Sequence, residues 1–297
     1  MHASELSSAS TNIVALRQPG RTIGAVLIES GRLRLEDVEE ILWLQLKRGS
    51  GLRFGDAGKE LGLLSQADID FALAAQFDYR YLRRGESKVS EDVIAAYDPF
   101  SPQVEALRAL RSELMLRWFD SDPARKALAI LSAGRNEGRS YIAANLAVVF
   151  SQLGQRTLLI DADLRNPCQH KLFDLDERAG LSTVLSGRAG LEAVQRIPSL
   201  THLSVLPAGV LPPNPQELVT RPMFAQLLRL LEPHVDVIIL DSPAAEESAD
   251  AQTLAVRAGA ALLVARKNVT RLSRAKRVAD SVLHAKGTIV GAVYNDF

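Results

Sequence analysis

The stretch Ser132-Ala133-Gly134-Arg135-Asn136-Glu137-Gly138-Arg139-Ser140 follows an apolar run, Ala127 to Leu131, and precedes a helical pattern, Tyr141 to Leu153. A glycine loop at a helix N-terminus presents unpaired backbone N–H groups and the positive end of aligned peptide dipoles, so it binds phosphate. Gly134 and Gly138 allow close approach, and Asn136 is the non-glycine residue that best tolerates positive φ. Two later stretches end apolar runs in carboxylates: Leu158-Leu159-Ile160-Asp161-Ala162-Asp163-Leu164-Arg165 and Val237-Ile238-Ile239-Leu240-Asp241-Ser242-Pro243. An open α/β sheet gathers its ligand groups at such strand ends.

The spacing predicts a nucleotide whose phosphates meet Gly134, Arg135, Asn136, Glu137, Gly138, Arg139, Ser140 and Tyr141. Mg²⁺ prefers a few carboxylates plus phosphate oxygens, so Ser140, Asp163 and Asp241 are the expected metal residues. Asp161 is placed to accept a proton from an attacking hydroxyl, and Arg165 to answer phosphate charge. Singly, these acids and Arg165 would equally suit an ion-paired strand end; three motifs in this order favour the nucleotide. Where Lys is usual after Gly138 the chain has Arg139, a planar fork in place of a point charge. Binding is expected to survive that change; phosphoryl transfer, which depends on positioning, is more exposed to it.

Such residues need a parallel sheet to hold them. Apolar runs near 127–132, 157–161, 203–207, 236–241, 260–265 and 288–294 alternate with helical patterns near 139–153, 216–231, 250–257 and 271–285. The expected class is therefore α/β, a parallel sheet flanked by helices. A helix from Pro102 to Phe119 precedes it, with Pro suited to the first turn. Upstream lies an internal repeat at an offset of 31: Gly24/Gly55, Glu29/Glu60, Gly31/Gly62, Leu33/Leu64, Asp37/Asp68, Leu42/Leu73 and Gln45/Gln76. Each copy reads as a short helix, a glycine turn and a second helix. The expected organisation is a mobile tail over 1–20, a small helical repeat domain over 21–82, a charged linker over 83–100 and the nucleotide domain over 101–297.

Lys plus Arg and Asp plus Glu each total 35, so no global field favours nucleic acid or an anionic surface. No apolar run reaches about 18 residues, the length of a membrane span. The single Cys168 excludes an internal disulfide, fits a reducing compartment and reads as a buried bystander.

From about residue 100 onward the chain resembles the bacterial tyrosine kinases (BY-kinases) of capsule and exopolysaccharide synthesis, relatives of the MinD and ParA group of P-loop ATPases. The family's Asp-x-Asp-x-Arg is matched by Asp161, Asp163 and Arg165. Asp241-Ser242-Pro243 matches its third motif, with the proline one residue closer than in the strict spelling. Glu105, Arg108 and Arg111 match the Glu-x-x-Arg-x-x-Arg helix of ring assembly, and the stretch from Pro207 to Leu218 resembles a family loop. The resemblance implies ATP and Mg²⁺ as ligands, Asp161 as the base for a tyrosine hydroxyl, and Asn295 near the adenine. It further implies a ring oligomer and an inner-membrane polysaccharide co-polymerase as partner. The location implied is cytoplasmic, peripheral to the inner membrane through that partner. No tyrosine-rich tail follows the last strand, and Tyr294 is expected to be held within that strand and unavailable, which puts the usual autophosphorylation in question. The alternative is a nucleotide-dependent assembly switch without kinase activity. No MinD-type amphipathic helix follows either, so direct membrane insertion is not expected.

The repeat resembles the N-terminal domain of type II secretion and type IV pilus ATPases, some of which bind cyclic di-GMP. The matching residues are Arg53-Phe54-Gly55 and Gly62 in the second copy, and Thr22-Ile23-Gly24 and Gly31, with Arg21 adjacent, in the first. The resemblance implies cyclic di-GMP at Arg21, Gly24, Gly31, Arg53, Gly55 and Gly62. A compact docking domain whose glycines end helices stands equally. Gly58 stands where an apolar contact residue is usual.

Overall fold

The computed structural model describes residues 22–49, 51–76, 81–82 and 84–296; the tail expected over 1–20, and Arg21, lie outside them. The chain divides between Arg80 and Tyr81 into two compact units.

The first unit holds α1 (Ile23–Glu29), α2 (Leu35–Arg48), α3 (Phe54–Glu60) and α4 (Gln66–Gln76). The duplication recurs bond for bond. Gly31 and Gly62 take φ of 71° and 69°, the left-handed conformation that ends a helix without a Cβ penalty. The N–H groups of Arg32 and Leu33 donate to the Leu27 carbonyl, and those of Leu63 and Leu64 to the equivalent Gly58 carbonyl. Asp37 accepts the Arg34 N–H at 2.9 Å and Asp68 the Ser65 N–H at 3.1 Å, so one carboxylate opens the second helix of each copy. Gly24 lies against Phe54 and Gly55 against Ile69. Leu27 fills the core in the first copy; its counterpart Gly58 leaves that volume to Leu64 and Ile41.

The second unit is built on a seven-stranded sheet. In chain order its strands are β1 (Ala127–Ser132), β2 (Thr157–Asp161), β3 (Gln195–Arg196), β4 (Leu203–Leu206), β5 (Val237–Asp241), β6 (Ala260–Arg266) and β7 (Thr288–Asn295). Their spatial order is β3-β4-β2-β5-β1-β6-β7, parallel except for the β3–β4 pair. Alternate residues feed separate cores. Leu128, Ile130, Leu159 and Ile239 join one, while Ala129, Leu131, Leu158 and Ile238 join the other. Burial on both faces is why β1, β2 and β5 read as continuous apolar runs.

The helices of this unit are α5 (Ile94–Tyr97), α6 (Pro102–Leu114), α7 (Arg139–Gln152), α8 (Gln169–Leu172), α9 (Leu181–Leu185), α10 (Pro215–Thr220), α11 (Pro222–Leu231), α12 (Asp250–Ala258) and α13 (Leu272–His284). The helix expected over 216–231 is two, because Arg221 precedes Pro222 and is forced to an extended ψ of 150°. The helix expected to run to Phe119 is α-helical to Leu114 and then widens, with the Asp120 N–H donating five residues back to Met115. The segment expected as a linker over 83–100 is integrated into the second unit: Val93, Ala95, Ala96 and Tyr97 are buried. Buried Asn145 of α7 holds it, accepting the Ala95 N–H at 2.9 Å and donating to the Asp92 carbonyl at 3.1 Å.

A Gly58→Ala substitution puts a methyl 2.5 Å from Leu64 Cδ1, an overpacking that costs about 1–3 kcal/mol. Gly51 has open space around it, so Gly51→Ala stays within about 0.5 kcal/mol of wild type. Urea unfolding of the two variants measures the contrast, and equal midpoints would refute it.

Candidate functional site

The sheet order places β5 between β1 and β2, so the phosphate-binding loop after β1 faces a carboxylate from adjacent β5 and others from β2, one strand further. Asp161 and Asp241 are register partners at the ends of β2 and β5. Neighbouring strands lie about 4.8 Å apart, which sets the two carboxyls side by side, and both are fully buried. Asn136 has φ of 57° and Gly138, which caps α7, has φ of 93°. Among the described residues, the backbone N–H groups from Gly134 to Ser140 donate to no protein acceptor. Backbone N–H groups converging without a protein acceptor at a helix N-terminus form an anion-binding concavity. They curve around a cavity of about 390 Å³ lined by Arg135 to Tyr141 with Asp163, Asn166, Cys168 and Glu247.

Arg139 lies along the floor of this cradle, nearly buried. Its guanidinium donates to Ser132 Oγ at 2.7 Å and to Asp163 Oδ2 at 3.2 Å, and its Nε stands 3.6 Å from Asp241 Oδ1. Gln169 Nε2 donates to Asp241 Oδ2 at 2.7 Å and to the Ser140 carbonyl at 3.1 Å, fixing β5 against the start of α7. Asp161 lies below the cavity wall, accepting the N–H groups of Cys168 at 3.0 Å, Gln169 at 2.9 Å and Asp163 at 3.2 Å. Burial first, then the Asp241 charge, pushes its carboxyl well above the usual range. Burial also raises Asp241, against the pull of Arg139 and of hydrogen bonds from Gln169 and Ser140.

The donor set suits Mg²⁺ held together with phosphate. Asp241 Oδ1 is buried without a hydrogen-bond partner, and Ser140 opens α7 on the wall of the same cavity. Among the described residues, no group of three or more acids, histidines or cysteines forms a metal cage of its own.

A family model described as "Cellulose biosynthesis protein BcsQ" matches residues 126–284. The tyrosine-protein kinase YwqD of Bacillus subtilis is 35% identical over 209 residues, covering 70% of this chain and 87% of that one. The chain belongs to the bacterial tyrosine-protein kinase family. The crystal structure of the kinase domain of Escherichia coli tyrosine kinase ETK superposes with a TM-score of 0.67 at 32% identity, covering 74% of this chain and 85% of that one. The chimerical protein CapA2B2 gives 0.65 at 31%, covering 75% and 96%.

Within this BY-kinase framework the remaining candidates sort by position. Asn295 donates to the Glu137 carbonyl at 3.1 Å, and Arg266 to the Asn136 carbonyl at 2.9 Å, so β7 and β6 brace the loop. Asn295, Tyr141 and Tyr294 share a second cavity of about 940 Å³ that meets the cradle at Ser140 and Cys168. Tyr294 is in β7 as expected, but 66% exposed, so the expectation that it is unavailable is corrected; alternate residues of an edge strand point outward. Arg165 is bonded to buried Asp250 at 3.0 Å and does not line the cradle. Arg135 is ion-paired with Glu247 at the cavity rim. Tyr141 is half-buried, its hydroxyl pKa raised by burial and by Asp92. Cys168, expected as a buried bystander, is half-buried and lines both cavities; burial pushes its thiol up to about 12, so it is neutral at physiological pH. Glu105 and Arg108 pair at 3.0 Å on α6, and Arg111 donates to the Val149 carbonyl at 2.8 Å. No helix among the described residues is long and apolar enough to cross a membrane.

The folded chain binds a proton at the Asp161–Asp241 pair more tightly than the unfolded chain does. This contribution to stability is therefore present at low pH and is lost as pH rises through the raised folded pKa. Asp241→Asn removes the like charge, so its melting temperature should fall less steeply than wild type as pH rises above the ordinary carboxylate range of about 4. The slope is the readout; parallel curves would contradict the coupling.

Proposed function

We propose that this chain binds Mg-ATP at the loop and transfers the γ-phosphate to a tyrosine hydroxyl, in the machinery that sets exopolysaccharide chain length and export. The observation that carries the reading is the run of unpaired N–H groups from Gly134 to Ser140 facing Asp163 above the buried Asp161–Asp241 pair. The N–H groups hold the β and γ phosphates, and Ser140, Asp163 and Asp241 hold the metal. Mg²⁺, when bound, neutralises charge at the bridging oxygens. Arg139 exchanges its Asp163 contact for a phosphate oxygen, to which its fork is equally suited. Asp161, made more basic by burial and oriented by three N–H groups, takes the hydroxyl proton as the turn Pro167–Gln169 yields. Asn295 stands at the adenine end, in the larger cavity. The partner that fits the family reading is an inner-membrane co-polymerase, with α6 as the contact between copies through Glu105, Arg108 and Arg111.

For the N-terminal unit the docking reading is favoured over cyclic di-GMP. Gly24 and Gly55 are taken up by Phe54 and Ile69, and Gly31 and Gly62 by helix ends.

The test is γ-labelled ATP with Mg²⁺ and the purified protein, with and without the partner's cytoplasmic segment. Label recovered as phosphotyrosine is expected; Asp161→Asn should keep ATP binding and lose transfer by at least about 100-fold. Bound nucleotide without protein label, even with the partner present, would establish the assembly switch instead.

A further inference from the structure

From Ala251 to Ala279 the chain has seven cations (Arg257, Arg266, Lys267, Arg271, Arg274, Lys276 and Arg277) and no acid. Cations and acids balance over the whole chain, so this is a local concentration. Arg257 lies in the last turn of α12 and donates to the Thr220 carbonyl at 3.0 Å; the other six cover the end of β6, the turn after it and the first turns of α13.

Some of these charges are already answered. Arg266 braces the phosphate-binding loop, Lys267 pairs with Asp296 at 2.7 Å and Arg274 with Glu246 at 3.0 Å. Arg271, Lys276 and Arg277 are exposed and have no acidic partner among the described residues. Two apolar side chains stand out among them: Leu272 is 84% exposed and Val269 54%. The opposite face of α13 buries Ala275, Val278 and Val282, so the helix is anchored in the core and its basic side is fixed outward.

We propose that the turn before α13 and its first turns form a contact surface for an anionic phospholipid bilayer. Arg271, Lys276 and Arg277 meet lipid phosphates, while Leu272 and Val269 enter the headgroup–acyl boundary. Each cation near such a surface strengthens binding by roughly fivefold, and the attraction is screened by salt. Nucleic acid would satisfy the cations equally but would leave Leu272 and Val269 against water or a sugar-phosphate edge, which gives them nothing. The pairing of exposed cations with protruding aliphatics is what selects lipid. None of these five side chains belongs to the nucleotide site, so this surface stands or fails independently of the kinase reading.

The experiment is co-sedimentation of the full chain with vesicles of phosphatidylcholine, with and without phosphatidylglycerol, at low and raised salt. Binding to the anionic vesicles alone, weakened by salt, is expected. Arg271→Glu with Arg277→Glu should reduce it by at least about 25-fold. Leu272→Ser should reduce it by roughly tenfold at unchanged salt dependence, and it remains informative if the charge-reversed protein misfolds. Arg229→Glu, on α11, should leave it unchanged. Three results would overturn the proposal: no preference for anionic vesicles, binding indifferent to both variants, or Leu272→Ser without effect while duplex DNA competes fully. The last would assign the surface to nucleic acid.

Discussion

One guanidinium is set against three buried carboxyls, and the nucleotide domain is arranged around that imbalance. Arg139 reaches Asp163 and Asp241 but leaves Asp161 to backbone N–H groups. Burying charge is tolerable only where it is paired and hydrogen-bonded. The uncompensated negative charge is partly relieved by raised carboxyl pKa values, and a divalent cation carrying phosphate is the complement that would relieve it fully. A Lys here would offer one point charge. The wider fork touches Ser132 and both acids at once, so the substitution deepens the floor of the cradle rather than removing a cation from it.

Strand register supplies this geometry without any long-range coincidence. Because β5 inserts between β1 and β2, Asp241 falls beside Asp161 and one strand away from the loop. Gln169 then closes the triangle, bonding Asp241 and the Ser140 carbonyl together. Gln169 and its neighbour Cys168 also donate their backbone N–H groups to Asp161, so the short α8 is a consequence of satisfying that carboxyl. Its sequence, Gln169 to Leu172, carries no periodicity long enough to announce a helix.

That contrast explains what was readable in advance. The central strands β1, β2 and β5 are legible because burial on both faces makes each a near-continuous apolar run, and edge strand β7, only partly buried, is legible from its β-branched residues. The loop and its acids were visible because phosphate chemistry restricts residue type, and Asn136 takes the positive φ its chemistry allows. Pairings set by tertiary context were not visible. Arg165 looks like a phosphate ligand until Asp250, 85 residues away, takes it. Residues 84–100 look like a linker because their composition is that of a turn-rich segment. The signal that they pack is in another element, the buried polar Asn145 inside an apolar helix. In the N-terminal unit the repeat was explicit, but the Leu27-to-Gly58 exchange has meaning only once Leu64 is seen occupying the space.

β7 lies at the margin of the sheet, paired with β6 alone among the described residues, and Asn295 at its end is bonded to the Glu137 carbonyl. An open strand margin is a template for a further strand, so the same element that steadies the phosphate cradle is also addressable from outside. Thermodynamic reciprocity then applies. On the proposed function, a segment that pairs along β7 and shifts Asn295 would alter nucleotide affinity, and nucleotide would alter affinity for that segment by the same factor.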